Sequence, residues 1–277
     1  MQSHLNGKKA RLWVVAILTL AAVVVVYLLP PISQPISYHR FADQRRVLHI
    51  PNFWNVVTNL PFLFVGLYGL SLTRYSKDYS GIKLIYCLLF FGVLLTGVGS
   101  AYYHWHPDND TLVWDRIPMT TVFMAFLSAC LYEFISPSIG FILLFPLVLV
   151  GIFSVWWWHH SELIGQGDLR LYALVQFYPA LVIPILFWLF YTADLKQVIR
   201  CLIWIIVWYA IAKLFEHFDT SIYHLTGVGG HALKHLAAAL STWYLAVLFK
   251  IRHIDTFKHQ MPHNPDRISK PAQAAGL

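Results

Sequence analysis

Apolar residues fall into eight long blocks separated by short polar stretches, at about residues 11 to 29, 53 to 73, 81 to 103, 117 to 136, 139 to 158, 170 to 191, 199 to 216 and 228 to 249. Each block approaches the roughly 20 apolar residues a helix needs to cross about 30 Å of hydrocarbon. The pattern predicts an all-α fold, a polytopic membrane bundle that takes up nearly the whole chain. No connecting stretch is long enough to separate a second domain. Neither a GxGxxG loop, a Walker-type loop nor a repeat of 20 to 50 residues interrupts the blocks.

Composition agrees: 58% hydrophobic, 16% aromatic and only 12% charged residues exclude an ordinary soluble domain. Cys87, Cys130 and Cys201 all fall inside blocks. They argue for no disulfide framework and no soluble zinc module.

The net charge of +7 changes the picture only through where the charges sit. With eight spans, one side of the membrane holds Lys8, Lys9, Arg11, Arg74, Lys77, Lys83, Lys196, Arg200, Lys250, Arg252, Lys258, Arg267 and Lys270, thirteen in all. The other side holds Arg40, Arg45, Arg46, Arg116 and Arg170, which is five; Lys213 and Lys234 fall within spans. The positive-inside rule therefore predicts cytoplasmic termini. These cations orient the chain and meet anionic headgroups. A nucleic-acid site would need a basic surface interleaved with exposed aromatics, which such short loops lack.

The first block, preceded by Lys8, Lys9 and Arg11, also has the outline of a signal sequence. Its apolar run is longer than a typical signal core, and "LLPPISQPIS" offers no clean small-residue cleavage site. A retained helix is expected, and either outcome leaves the other seven spans in the same orientation.

Polar residues can now be sorted by depth. Ser100 and His104 lie four apart, on one helical face, near the non-cytoplasmic end of the third span. Asp115 stands just before the fourth span in the same layer. His231 and His235, from "GGHALKH", repeat the four-residue spacing near the non-cytoplasmic start of the eighth. Ionisable groups beside hydrocarbon cost about 2.5 to 3.5 kcal/mol each in their charged forms and usually face the bundle interior. Three imidazoles with a carboxylate nearby supply a reason for that cost, because zinc takes neutral histidine nitrogens and a catalytic site leaves one position to water.

Each residue also has a plainer reading. An HxxxH pair can simply bond neighbouring carbonyls. Asp115 alone reads as the N-cap of the fourth span, with Pro118 in its first turn. Ser100 can back-bond within its own helix. Their occurrence at one depth favours the metal-site reading.

Together, "GSAYYH", Asp115 eleven positions after His104, "IPM" and the late "GHALKH" resemble the alkaline ceramidase family, within a wider group of membrane hydrolases that includes adiponectin-receptor-like proteins. The resemblance runs from about residue 38 to 250. It implies seven transmembrane helices, the second to eighth spans, around Zn2+ held by His104, His231 and His235. It further implies Ser100 and Asp115 flanking the attacking water, and a ceramide-like N-acyl membrane lipid as substrate, cleaved at its amide. Asp115 would take a proton from that water and return it to the leaving amine, with Ser100 helping to stabilise the oxyanion.

The implied layout is residues 1–37 as an N-terminal tip and extra helix, 38–250 as the ceramidase-like domain and 251–277 as a cytoplasmic tail. "FADQRR" and "IPNFWNVVTNLPF" resemble the bacterial branch of the family. Eukaryotic members typically read "DELPM" where this chain has "DRIPM", so Arg116 replaces an acid and alters the expected headgroup contacts. They also bind Ca2+ near an "EFWN" sequence. Here Asp43 and Asn52, with Arg45 and Arg46 between them, are too few acids for a confident Ca2+ site.

Other polar residues carry plainer expectations. His106 points away from His104, and His159, His160 and Glu162 follow tryptophans of an aromatic belt. Glu216, His217, Asp219 and His224 read as a solvated loop that could line an entrance. Lys234 faces about 100° from its neighbour His235 on a 3.6-residue helix. Asn55 and Asn59 suggest an interhelical hydrogen bond, and Pro146, Pro179 and Pro184 suggest kinks that make room for a lipid tail. Three rival functions remain open: a receptor or scaffold with a purely structural zinc, a hydrolase of lipid esters, and a transporter using Glu133 and Asp115, for which no paired broken helices are evident.

Overall fold

The computed structural model describes residues 2–76, 81–190, 192 and 196–255. Lys77 and the tail cations Lys258, Arg267 and Lys270 lie outside these residues, and of the expected tail only Ile251–Asp255 is described.

Among the described residues the fold is helical throughout, without a strand. The helices are α1 (Gln2–Leu28), α2 (Phe53–Val57), α3 (Leu60–Thr73), α4 (Ile82–Trp105), α5 (Asn109–Phe134), α6 (Pro137–Leu163), α7 (Arg170–Leu189), α8 (Lys196–His217), α9 (Asp219–Thr226) and α10 (Gly230–Lys250). They provide eight segments long and apolar enough to cross a membrane, α2 and α3 forming one of them. The chain is a multi-pass integral membrane protein. Large apolar side chains such as Phe64, Phe91, Phe145 and Trp188 point outward, as lipid-facing positions should.

α5 is the central helix, with 72% of its apolar window buried, whereas α1 has 6% and lies on the outside. α1 touches α7, where the Thr19 and Tyr178 hydroxyls stand 2.6 Å apart. α4 packs along α5 through a seam of small residues. A Cβ at Gly92 would press on Val122, and one at Gly99 would collide with the Trp114 carbonyl. Without a hydrophobic drive between helices in lipid, such close backbone approach is what holds them together.

The second span is broken. Pro61 at the start of α3 has no N–H to give the carbonyl of Val57, so the ladder lapses at Thr58 and Asn59. Here the expected interhelical bond of Asn59 is replaced by a local one, since its amide donates to the Asn55 carbonyl at 2.7 Å. Asn55 in turn donates to the Asp43 carbonyl at 3.3 Å, tying the helix to the preceding loop.

α5 begins about two turns earlier than the hydropathy pattern suggests. Asp108 is its N-cap: the carboxylate accepts from Thr111 N at 2.7 Å, while the Thr111 hydroxyl accepts from Asp108 N at 3.2 Å. Asp115 is therefore not a cap. It lies inside the helix and is buried, as is Pro118.

Candidate metal and active site

The last turns of α4 and the first turns of α10 bring three imidazoles together. His104, His231 and His235 are all buried, and each offers a nitrogen within 4.8 Å of the others. His104 Nε2 and His235 Nε2, from residues 131 apart in the chain, are separated by 3.2 Å. Phe41 closes the cluster from the loop before α2, with ring centroids 4.7 Å from His104 and 4.6 Å from His231.

The surrounding bonds fix the ring of His235 and the backbone at His104 and His231. At the broken second span, the single hydroxyl proton of Thr58 goes to the Trp54 carbonyl at 2.6 Å. Toward His235 Nδ1, 3.0 Å away, Thr58 can then only accept. His235 therefore carries its proton on Nδ1, which leaves the Nε2 lone pair facing His104. The Asn52 amide donates to the His104 carbonyl at 2.9 Å and holds the end of α4. Asn52 adopts the left-handed conformation, which asparagine tolerates better than most residues. Asp219 fixes the start of α10, one oxygen accepting from His231 N at 2.8 Å and the other from Ala42 N at 2.9 Å.

The His104 and His235 donors have the spacing that a metal ion requires, and His231 lies within reach of the same point. Two nitrogens each about 2.0 to 2.1 Å from a tetrahedral ion stand about 3.3 to 3.4 Å apart, close to the separation of His104 Nε2 and His235 Nε2. His104 Nδ1 is buried without a hydrogen-bond partner, and the ring's other nitrogen faces His235 Nε2.

Ser100 and Asp115 meet where α4 crosses α5. Both line an apolar cavity of ≈170 Å³ together with His235 and Lys234, and its remaining wall includes Phe62, Val93, Ile205 and Leu245. Asp115 Oδ1 is buried and has no hydrogen-bond partner. All five residues singled out by spacing and depth thus lie around one region of the bundle.

Several polar residues stand elsewhere than expected. Glu216 is no solvated loop residue: it sits at the end of α8, and its two oxygens are held by Lys213 and Lys234 at 2.7 Å each. Lys234 reaches back one turn to His231 Nε2, at 3.1 Å. A helical wheel gives only the direction of its Cβ, and the long side chain covers the rest. Asp219 serves as the backbone anchor described above.

His159 pairs with Asp110 at 2.7 Å, and His160 stacks on Trp156. Glu162 accepts from Gln34 N at 2.5 Å and from Trp158 Nε1 at 3.3 Å. Glu133 lies at the far end of α5, held by Arg252 at 2.8 Å and His253 at 2.9 Å. It is 18 residues from Asp115, about 27 Å along the helix, and cannot share its chemistry.

Outside the spans, Asp43 gives one oxygen to Arg45 Nε at 2.9 Å and the other to Arg45 Nη2 at 2.6 Å. Burial works to raise its pKa, but the Arg45 guanidinium and the backbone N–H groups of Arg45 and Gly229 outweigh it and hold the carboxyl below its ordinary value. Asp168 is lowered by its bond to the Arg170 guanidinium, against the opposing effect of burial.

The sequence model of the family described as Ceramidase matches residues 46–266. No curated protein and no solved structure matches the chain.

Proposed function

Because the chain belongs to the ceramidase family, and is therefore a hydrolase of a lipid amide bond, we propose that it cleaves ceramide or a related N-acyl lipid to fatty acid and free amine at a zinc ion held by His104, His231 and His235. The observation that carries this reading is the buried imidazole cluster, its nitrogens within 4.8 Å of one another, beside an apolar cavity whose wall also holds Ser100 and Asp115. Bound zinc supplies a Lewis acid that polarises the amide carbonyl and lowers the pKa of water toward about 7.

The chain's own residues supply the rest. Asp115 Oδ1, which no other group engages, takes the proton of the attacking water and returns it to the leaving amine nitrogen. Ser100 Oγ donates to the carbonyl oxygen as negative charge gathers on it. Thr58 keeps the His235 Nε2 lone pair directed into the cluster, and Phe41 excludes water from the faces of His104 and His231. The apolar cavity receives the acyl chain.

In this reading residues 38–250 are the catalytic seven-helix unit, and the segment 1–37, with α1, is an addition to it. The lysine and arginine asymmetry supports cytoplasmic termini, with the histidines toward the non-cytoplasmic face.

The test is release of fatty acid and sphingoid base from N-acyl sphingosine in mixed micelles with the purified protein, alongside Asp115→Asn. Turnover by the wild type and a loss of about 100-fold or more in the variant are expected, the scale of a lost general base. Absence of amide cleavage, or an Asp115→Asn protein as active as wild type, contradicts the reading.

A further inference from the structure

A second cavity, of ≈300 Å³, adjoins the first. The two share Asp115, Met119, Gln176, Tyr209, Lys234 and Ala238 in their walls, so the carboxyl assigned to proton transfer stands between them. Their characters differ. The first is apolar, whereas the second is lined by three cations, Arg116, Lys213 and Lys234, against two carboxyl groups, Asp115 and Glu216.

Within that set Arg116 is the anomaly. Lys213 and Lys234 share the two oxygens of Glu216. Arg116 is only 4% exposed, yet among the described residues it forms no salt bridge. Its Nη2 donates to Gln34 Oε1 at 2.6 Å, and Nη1 is buried with no hydrogen-bond partner. Trp158 and Tyr172 offer their ring faces at 4.0 and 4.4 Å from the guanidinium carbon. Aromatic faces offset part of the cost of burying the charge and hold the fork rigidly, but they satisfy none of its N–H groups. A buried cation left with open donors is expensive unless something pairs with it. A planar guanidinium is matched best by a group with two or more oxygens carrying negative charge.

We propose that the second cavity receives the polar head of the substrate and that this head carries an oxyanion, a phosphate, sulfonate or carboxylate, which pairs with Arg116. The inference rests on the amide-hydrolase reading and adds to it a preference for N-acyl lipids with anionic heads over neutral ones. The acyl chain then occupies the apolar cavity and the scissile amide lies at the shared wall, beside Asp115.

The experiment compares kcat/KM for N-acyl sphingosine, whose head is neutral, with that for the same lipid bearing a 1-phosphate and for an N-acyl amino acid, in neutral detergent. Wild-type protein should favour an anionic head by about tenfold or more. Arg116→Gln should lower that ratio by about 10- to 100-fold, with Arg116→Lys between the two because it keeps the charge and loses the fork. A wild-type ratio near unity, or a ratio unchanged in Arg116→Gln, overturns the proposal. It is also overturned if Arg116→Gln only relieves inhibition by added fatty acid, since Arg116 would then bind the carboxylate of the product.

Should no N-acyl lipid be cleaved at all, the hydrolase reading fails and binding decides this inference separately. A phosphate-headed lipid with an ether in place of the amide should raise the melting temperature of wild type more than that of Arg116→Gln. Equal shifts, or none, overturn it.

Discussion

Gly99 lies so close to the carbonyl of Trp114 that a single added methyl would collide with it. Each of these residues immediately precedes a proposed catalytic one, Ser100 on α4 and Asp115 on α5, so the contact sets how near those two side chains stand. Gly99→Ala is expected to force α4 and α5 apart. A misplacement of about 1 Å can cost about 100-fold in rate. Turnover should fall on that scale in protein that still elutes as a folded species, while the same change at Gly7, where a Cβ meets nothing within 4 Å, should leave it unaltered.

Thr58→Val removes the acceptor for His235 Nδ1 while nearly keeping the shape of the side chain. The imidazole is then free to carry its proton on either nitrogen. Loss of such an outer partner typically costs about 10- to 100-fold in metal affinity. Competition for zinc against a chromogenic chelator measures this directly, and an unchanged affinity would remove Thr58 from the set of orienting residues.

The Glu133 cluster with Arg252 and His253 sits at the other end of α5. Glu133→Gln should cost about 1.5 to 3 kcal/mol of stability, the range for hydrogen bonds to charged groups, read as a lower melting temperature. Because the site is far away, amide cleavage should stay within about twofold of wild type. A large loss of activity in stable protein would tie this cluster to the chemistry.

Asp43 gives a pH dependence with a definite sign. Its folded pKa lies below the ordinary 3.8, so its contribution to stability is fully present above 3.8 and is lost as pH falls through the lower, folded value. Arg45→Gln leaves only the backbone N–H groups of residue 45 and Gly229 to oppose burial and should weaken that acid-side loss. Melting curves from pH 6 down to about 3 compare the two proteins, and identical slopes would show that the pair contributes nothing.

The bundle and the three histidines were legible because both rest on short-range periodicity. Apolar blocks report span lengths, and a four-residue spacing puts His231 and His235 on one face whatever surrounds them. The start of α5 was hidden because Asp108 and Thr111 form their capping box in a polar stretch, where hydropathy ends before the helix does. For Lys234 the wheel angle misleads, because it ignores a side chain that reaches Glu216 and His231. Thr58 carried no signal of its own: its role depends on the break in the second span and on a partner 177 residues later. Arg116 was visible as an unusual residue, but its aromatic box and its open donors exist only once α5, α6 and α7 meet.

The most direct test of the central claim is metal analysis of purified, active protein. Wild type should hold about one zinc per chain, the occupancy of a single three-histidine site. His104→Ala, His231→Ala and His235→Ala should each lose both the metal and amide cleavage, and stripped wild type should recover activity with added zinc. Full activity in protein free of transition metal, or a histidine variant that keeps its turnover without the ion, would contradict it.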